Sequence, residues 1–235
     1  MKNIGWAQGI WEQSSTQKEI LGAYRVEPNG KKYRYALAGE GLAVGKMSYM
    51  SIAEAEHVNK SVAAAAAIGD TEVTVTVGAT AVTLDQYKDG ELQVNDGTGK
   101  GHSYDIDTNT ACATSGNTVV TLKDAIKIAL VASATSEVTL VKSPWGSVTQ
   151  STTEESGSAG ITKMAITDAN YFWIQTGGSA ILLGSGSDGL GTVLSHDATE
   201  GAGAVMADYT KGLFGFTWNT AHVSGEYKPV ILFID

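Results

Sequence analysis

Apolar and polar residues alternate along most of the chain, with the two-residue period of β-strands. In the run TEVTVTV, for example, Val73, Val75 and Val77 share one face. Similar short runs, separated by Gly, Asn, Asp or Ser, fill residues 71–142 and predict a compact antiparallel sheet or a small barrel. A second set of strand-like runs starts at residue 161 and continues to the apolar segment KPVILFID.

These two clusters of strand signals predict an all-β fold with three parts. Residues 1–25 are polar with isolated tryptophans, and they predict an extended N-terminal arm. Residues 26–60 and 144–235 are expected to form a principal antiparallel β-sandwich or barrel. Residues 61–143 are expected to form a smaller inserted β subdomain. The 28 glycines and the low charged fraction of 17% are typical of a β protein with many tight turns.

Charge and cysteine content narrow the possible functions. Sixteen basic and 25 acidic residues give a formal net charge of −9. A surface of that sign repels phosphate backbones, so we expect no nucleic-acid partner. Cys112 is the single cysteine, which excludes an intrachain disulfide and a cysteine metal cluster. Because the chain has no signal-peptide core and no apolar run of about 18 residues, we expect a protein made in the cytoplasm without a membrane segment.

The segment NDGTGKGHSY, residues 95–104, resembles a phosphate-binding loop because glycines surround Lys100. Such a loop needs a Ser or Thr after the lysine and a helix directly afterwards, and neither follows here. Asn95, Asp96 and Gly97 are residues that tolerate the left-handed backbone of a tight turn. The alternating flanks GELQVN and HSYDID therefore predict a β-hairpin, and we expect no bound cofactor.

Residues with catalytic or metal-binding chemistry are not grouped in the sequence. The histidines lie in separate segments without metal-ligand spacing: His57, His102, His196 and His222. The segment GHSYD resembles a nucleophile elbow, but Asp105 stands where that turn needs a small residue. Asp105, Asp107 and Asn109 have the spacing of calcium ligands, yet Thr110 replaces the required glycine. We therefore expect no catalytic site, no metal site and no enzyme activity.

Three stretches, in chain order, resemble structural proteins of tailed bacteriophages. They are KYRYALAGEGLAVGKM at 32–47, the block from DGELQVNDGTGKGHSYDI through VVTLKDAIKIAL at 89–130, and NYFWIQTGGSAILL at 170–183. The resemblance covers residues 30–235 and is to capsid decoration (cement) proteins, which are small β-rich proteins on the outside of the phage head. It implies a structural protein of the virion whose partner is the major capsid protein.

The resemblance also implies an assembly and a core strand. Decoration proteins commonly sit as homotrimers at local three-fold positions of the capsid. Their aromatic-Trp-Ile-Gln segment is a core strand, and Tyr171, Phe172 and Trp173 match it here. Trp218 lies in the apolar segment FGFTW, which is predicted to be a strand, and we expect it in the core as well.

Trp6 and Trp11 are isolated aromatic residues in a polar segment and need a surface on which to be buried. We expect them to anchor the N-terminal arm, residues 1–25, on the capsid or on a neighbouring subunit. The alternative is that the arm folds back and closes the protein's own β domain. A second functional class also stays open, because the five tryptophans could form a sugar-binding platform. The protein would then be a tail fibre or receptor-binding module that holds host glycans.

Overall fold

The computed structural model describes residues 5–150, 157–187, 189–197, 199–206, 212–221 and 223–235. Nearly all of its regular structure is antiparallel β-strand, which confirms the predicted all-β class. The chain divides into two compact units. Unit 1 consists of Met1–Ser51 and Pro144–Asp235, and unit 2 consists of Ile52–Ser143.

Unit 2 begins at Ile52, whereas the sequence placed the start of the inserted subdomain at residue 61. The start is earlier because a 3-10 turn, Ala55–His57, and the strand Lys60–Val62 precede the alternating sequence that begins at residue 71. The Lys60–Val62 strand pairs with later strands of unit 2 and closes its barrel. Residues 1–25, expected to form a separate arm, belong to unit 1.

The described residues form sixteen strands. Those before the insertion are β1 (Gln13–Ser14), β2 (Tyr24–Val26), β3 (Lys32–Leu37) and β4 (Met47–Tyr49). Those of unit 2 are β5 (Lys60–Val62), β6 (Glu72–Thr76), β7 (Glu91–Gly97), β8 (Ser103–Asn109), β9 (Asn117–Leu122) and β10 (Ser133–Val141). Those after the insertion are β11 (Ser158–Ile161), β12 (Tyr171–Leu183), β13 (Val193–His196), β14 (Gly203–Val205), β15 (Leu213–Thr217) and β16 (Tyr227–Phe233).

Unit 2 is a closed barrel with the strand order β10-β5-β6-β9-β8-β7. Alternate residues of each strand point inward, as the burial of Val73 and Val75 in β6 shows. The core also contains Leu92 from β7, Ile106 from β8 and Leu140 from β10. A closed barrel has no sheet edge, so its backbone hydrogen bonds are satisfied within the unit.

Unit 1 is a ten-stranded sheet organised around β12, which is thirteen residues long. The first half of β12 pairs with β3, and the second half pairs with β16. A bulge separates the halves at Gly177, and Gly178 adopts a left-handed backbone with φ +78°. The sheet carries separate buried clusters on its two halves. Trp173, Tyr33 and Tyr35 form the aromatic one.

A short motif recurs before many strands, and we call it the bridge-turn motif. A residue forms an isolated antiparallel bridge, and the residue three positions later has a left-handed backbone. The pairs of bridge residue and left-handed residue are Leu42 with Gly45, Ala66 with Gly69, Val82 with Asp85, Cys112 with Ser115, and Ile166 with Ala169. The motifs also pair with one another, since Leu42 bridges Ile166 and Val82 bridges Cys112.

Candidate functional site

The N-terminal segment packs on its own unit. Strand β1 pairs with β12, and β2 pairs with β3. Three residues of the same segment, Trp6, Ile10 and Leu21, pack against the aromatic cluster of Trp173 and Tyr35. The expectation was that Trp6 anchors an arm on the capsid or on a neighbouring subunit, whereas in the structure Trp6 packs on the aromatic cluster of unit 1. Its indole packs inside unit 1, as the fold-back alternative predicts.

Gln8 fixes this segment to the sheet through a buried polar network. Its side-chain amide donates hydrogen bonds to the backbone oxygens of Glu12 and Tyr171, each at 2.9 Å. Its Oε1 accepts a 2.6 Å hydrogen bond from the Tyr35 hydroxyl. The Trp173 indole N–H donates to the backbone oxygen of Gln8 at 3.0 Å. Because buried polar groups are costly when unpaired, these bonds specify one position for the segment.

The indoles of Trp6 and Trp173 meet edge to face with ring centroids 5.0 Å apart. The guanidinium of Arg25 lies 5.5 Å from the Trp173 ring and 6.0 Å from the Trp6 ring. Glu27 neutralises Arg25 through an ion pair of 2.7 Å. This cation–π cluster holds the start of the segment on the sheet.

Trp11 behaves differently, because 62% of its surface is exposed. It stands at a turn that is closed by a 3.2 Å hydrogen bond from Glu12 N to Gly9 O. The Glu12 carboxylate accepts a second hydrogen bond, of 2.8 Å, from Gly9 N. The turn thus presents a large indole to solvent on a backbone that is already fixed.

Lys163 fixes one side of the Trp11 indole. Its ammonium lies 4.5 Å from the centroid of the Trp11 ring and 5.7 Å from that of Tyr33. The ammonium also donates a 3.3 Å hydrogen bond to the Tyr33 hydroxyl. Among the residues that the structure describes, no carboxylate forms an ion pair with Lys163. We call Trp11 and Lys163 together the Trp11 site.

The electrostatics of the Trp11 site follow from partial burial. Burial lowers the pKa of Lys163, and the positive charge of Lys31 lowers it further, against the opposing effect of Glu27. Burial, assisted by the charge of Glu27, raises the pKa of Tyr33 to about 12. Tyr33 is therefore neutral at physiological pH, and the site is locally cationic on an acidic protein.

The other predicted aromatic positions divide between core and surface. Phe172 and Trp173 are 1% exposed and lie on opposite faces of β12. Tyr171 is half-buried and stacks on Tyr35 with ring centroids 6.0 Å apart. The expectation that Trp218 lies in the core is wrong, because it is 40% exposed. It follows β15 on the sheet face that the unit does not cover.

The segment NDGTGKGHSY forms the predicted hairpin, since β7 pairs with β8. The turn lies later than expected, because β7 continues through Gly97. Val94 N donates to His102 O, and Gly101 N donates to Val94 O, each at 2.8 Å. Gly99 and Gly101 have positive φ angles, so the glycines serve the turn geometry.

The residues considered for chemistry occupy structural positions. His57 and His196 are buried, and each makes a hydrogen bond to a tyrosine hydroxyl, from Tyr87 and Tyr49 respectively. His102 stacks on Tyr104 beside the hairpin turn. Asp105 and Asp107 lie on the exposed face of β8, and Asn109 is buried, donating to Thr83 O at 2.9 Å. His222 lies outside the described residues.

Within the described ranges, no group of three or more His, Cys, Asp or Glu side chains is placed to hold a metal ion. In the same part of the chain, no helix has the length and apolar character needed to cross a membrane. Comparison with protein-family models, curated proteins and solved structures gives no match for this chain.

Sequence reasoning identified Trp11 but missed Lys163. Lys163 lies more than 150 positions away in the sequence, two residues after the end of β11. Only the pairing of β11 and β1 with β12 brings the two side chains together. No local spacing in the sequence signals that contact.

Proposed function

We propose that the protein is a non-enzymatic structural component of a tailed-phage virion, a decoration protein that binds the outer surface of the head. Its partner is the major capsid protein, and it occupies local three-fold positions as a homotrimer. The resemblance of three sequence stretches to decoration proteins supports this proposal. The observation that carries it is the Trp11 site, an exposed indole held on a fixed turn next to a cation.

A protruding tryptophan suits attachment to a large partner. Indole side chains are enriched among the residues that dominate protein interfaces, where they fill pockets of the partner. The turn at Gly9–Glu12 and the contact with Lys163 fix Trp11 before binding, so little conformational entropy is lost on docking. Lys163 and Lys31 would meet acidic groups around the pocket.

The proposal also gives a physical role for the attachment. A protein that binds the assembled shell but not its separate subunits shifts the equilibrium toward the shell. Several attachments per trimer multiply a modest affinity at each site. The net charge of −9 favours a position on the outside of the head over contact with packaged DNA.

The test is binding of the purified protein to phage heads that lack it, followed by sedimentation of the heads. Wild type is expected to bind, and Trp11→Ala is expected to bind at least about 30-fold more weakly, since hot-spot residues contribute about 2 kcal/mol or more. Leu84→Ala serves as the matched control, because it truncates an apolar side chain of unit 2 at a residue that is 67% exposed. Heads that do not bind the wild-type protein would refute the proposal.

The second candidate is a glycan-binding module of a tail fibre, and the same exposed Trp11 favours it. An indole with an open face can stack on a sugar ring, and Lys163 would then pair with an acidic substituent. Electron cryomicroscopy of the virion separates the candidates. Density on the head lattice supports decoration, and density on the tail supports the glycan-binding module.

A further inference from the structure

The second half of the unit 1 sheet has an apolar face on the side away from its core. The register places Val193, Phe216, Ile231 and Ser179 in one row across four strands. Side chains directly opposite each other in antiparallel strands share a face, as do residues two apart in one strand. The same face therefore carries further apolar residues, namely Ile181, Trp218, Pro229 and Phe233. We call these side chains, without Ser179, the outer apolar face.

The opposite side of these strands is the true core. It contains Leu182, Leu194, Val230 and Leu232, all at most 3% exposed. An antiparallel sheet with one solvated face normally alternates apolar residues inward and polar residues outward. Strand β16 instead has the sequence YKPVILF, which is apolar on both sides from Pro229 onward. Such a face is typical of a sheet that is covered on both sides.

Exposure shows that unit 1 does not cover this face. Ile181 is 53% exposed, Phe233 45%, Trp218 40% and Val193 39%. Phe216 and Phe233 stack on each other with ring centroids 6.3 Å apart, so the patch is continuous across strands. Together the side chains expose roughly 400 Å² of apolar surface, which is in the range of functional patches. That is about half of the ~800 Å² that one partner contributes to a stable interface.

The charges around the face indicate what covers it. On this side of β12 and β16, none of the paired residues from Tyr227 to Phe233 and from Gly177 to Leu183 is acidic, although the chain carries a net charge of −9. At its border, Arg34 pairs with Asp235 at 2.8 Å, and the ammonium of Lys32 donates to Asp235 O at 2.7 Å. Two acidic molecules repel each other except where their acids are absent or neutralised. This face is such a surface, and it requires no charge to be desolvated.

Symmetry gives the same result. In a closed homo-oligomer every copy turns the same surface toward the symmetry axis. Three copies of the chain would therefore bring three identical apolar faces together at a three-fold axis. We infer that copies of this protein associate through their outer apolar faces, which meet near the symmetry axis of the oligomer. This inference deepens the proposed function, because it assigns a surface to the proposed self-association.

The test is analytical ultracentrifugation of the purified full-length chain. Wild type is expected to sediment as an oligomer. Ile181→Glu and Phe233→Glu are expected to weaken association at least about 100-fold, because each would bury an unpaired carboxylate. Leu84→Glu, at a residue 67% exposed in unit 2, is the control and is expected to associate as wild type does.

Thermal melts establish that the variants are folded. If a glutamate variant does not unfold cooperatively as wild type does, Ile181→Ser takes its place, because it removes the apolar side chain without adding a charge. Ile181→Ser is expected to weaken association at least about 10-fold. A monomeric wild type, or folded variants that associate as tightly as wild type, would overturn the inference. The assay contains no phage heads. A monomeric wild type that still binds heads would overturn this inference and the proposed homotrimer but leave the proposed attachment to the head standing.

Discussion

Trp173→Ala tests whether the N-terminal segment is part of the unit 1 core. Trp173 is 1% exposed, and its ring contacts Trp6 and Tyr35 edge to face, with centroid distances of 5.0 and 5.2 Å. Truncating a buried aromatic residue to alanine typically costs about 3–5 kcal/mol. The two ring pairs place this site in the upper half of that range, since each such pair contributes about 0.5–1.5 kcal/mol beyond its buried area.

The lost hydrogen bond adds less to this figure. Gln8 O loses the indole N–H as a donor but keeps a 3.2 Å hydrogen bond from Arg25. It is therefore not left as an unpaired buried acceptor, and the added loss is about 1 kcal/mol or less. The expected total is about 4–5 kcal/mol, which lowers the melting temperature by roughly 10 °C or more in a chain of this size.

The assay is thermal and urea unfolding of Trp173→Ala beside Trp11→Ala. The Trp11 variant loses an indole that is already 62% exposed, and its stability is expected to fall by about 1 kcal/mol or less. A Trp173→Ala protein that melts within about 2 °C of wild type would refute the packing argument. That result would restore the extended arm as the better description of residues 1–25.

Three further predictions concern other parts of the chain. Burial raises the pKa of Tyr33 to about 12, so the unfolded chain ionises first and stability is lost as the pH rises from about 10 to 12. Tyr33→Phe is expected to remove this loss, which is on the order of 2 kcal/mol when it is measured by urea unfolding at alkaline pH. Gly160→Ala is expected to lower the free energy of unfolding, measured with urea, by more than about 2 kcal/mol, because its Cβ would lie 2.5 Å from Gln175 O at φ +145°, whereas Gly41→Ala, with 4.0 Å of space, has little effect. A fragment of residues 52–143 is expected to show a cooperative melt alone, since its barrel is closed and has its own core; a fragment that lacks dispersed amide signals in NMR spectra would contradict this.

The fold class was predictable because it depends on local periodicity. Val73 and Val75 alternate with polar residues, and they do point into a barrel. Trp218 shows where this reasoning fails. The text FGFTW indicates an apolar strand, but a strand has two faces, and the sequence does not tell which of them another part of the chain covers.

The bridge-turn motif escaped sequence reasoning for a chemical reason. Its left-handed position is filled by different residue types, such as Gly45, Asp85, Ser115 and Ala169. Glycine accepts this backbone without strain, whereas an alanine there costs about 1 kcal/mol or more. A search for repeated residue identities therefore finds nothing, although the backbone repeats. The Trp11 site was half predictable, because Trp11 is local and its partner Lys163 is not.

The position of the insertion links the folding of the two units. Ser51 N donates a 2.9 Å hydrogen bond to Pro144 O, so the points where the chain leaves and re-enters unit 1 are adjacent. If residues 52–143 were unfolded, holding those points together would cost about 4 kcal/mol of loop-closure entropy. A folded barrel with neighbouring ends removes that cost. The barrel is synthesised before β11–β16, so once folded it already holds together the two points of unit 1 that its ends join. A mutation that unfolds only the barrel is therefore expected to lower the cooperativity with which the unit 1 sheet unfolds.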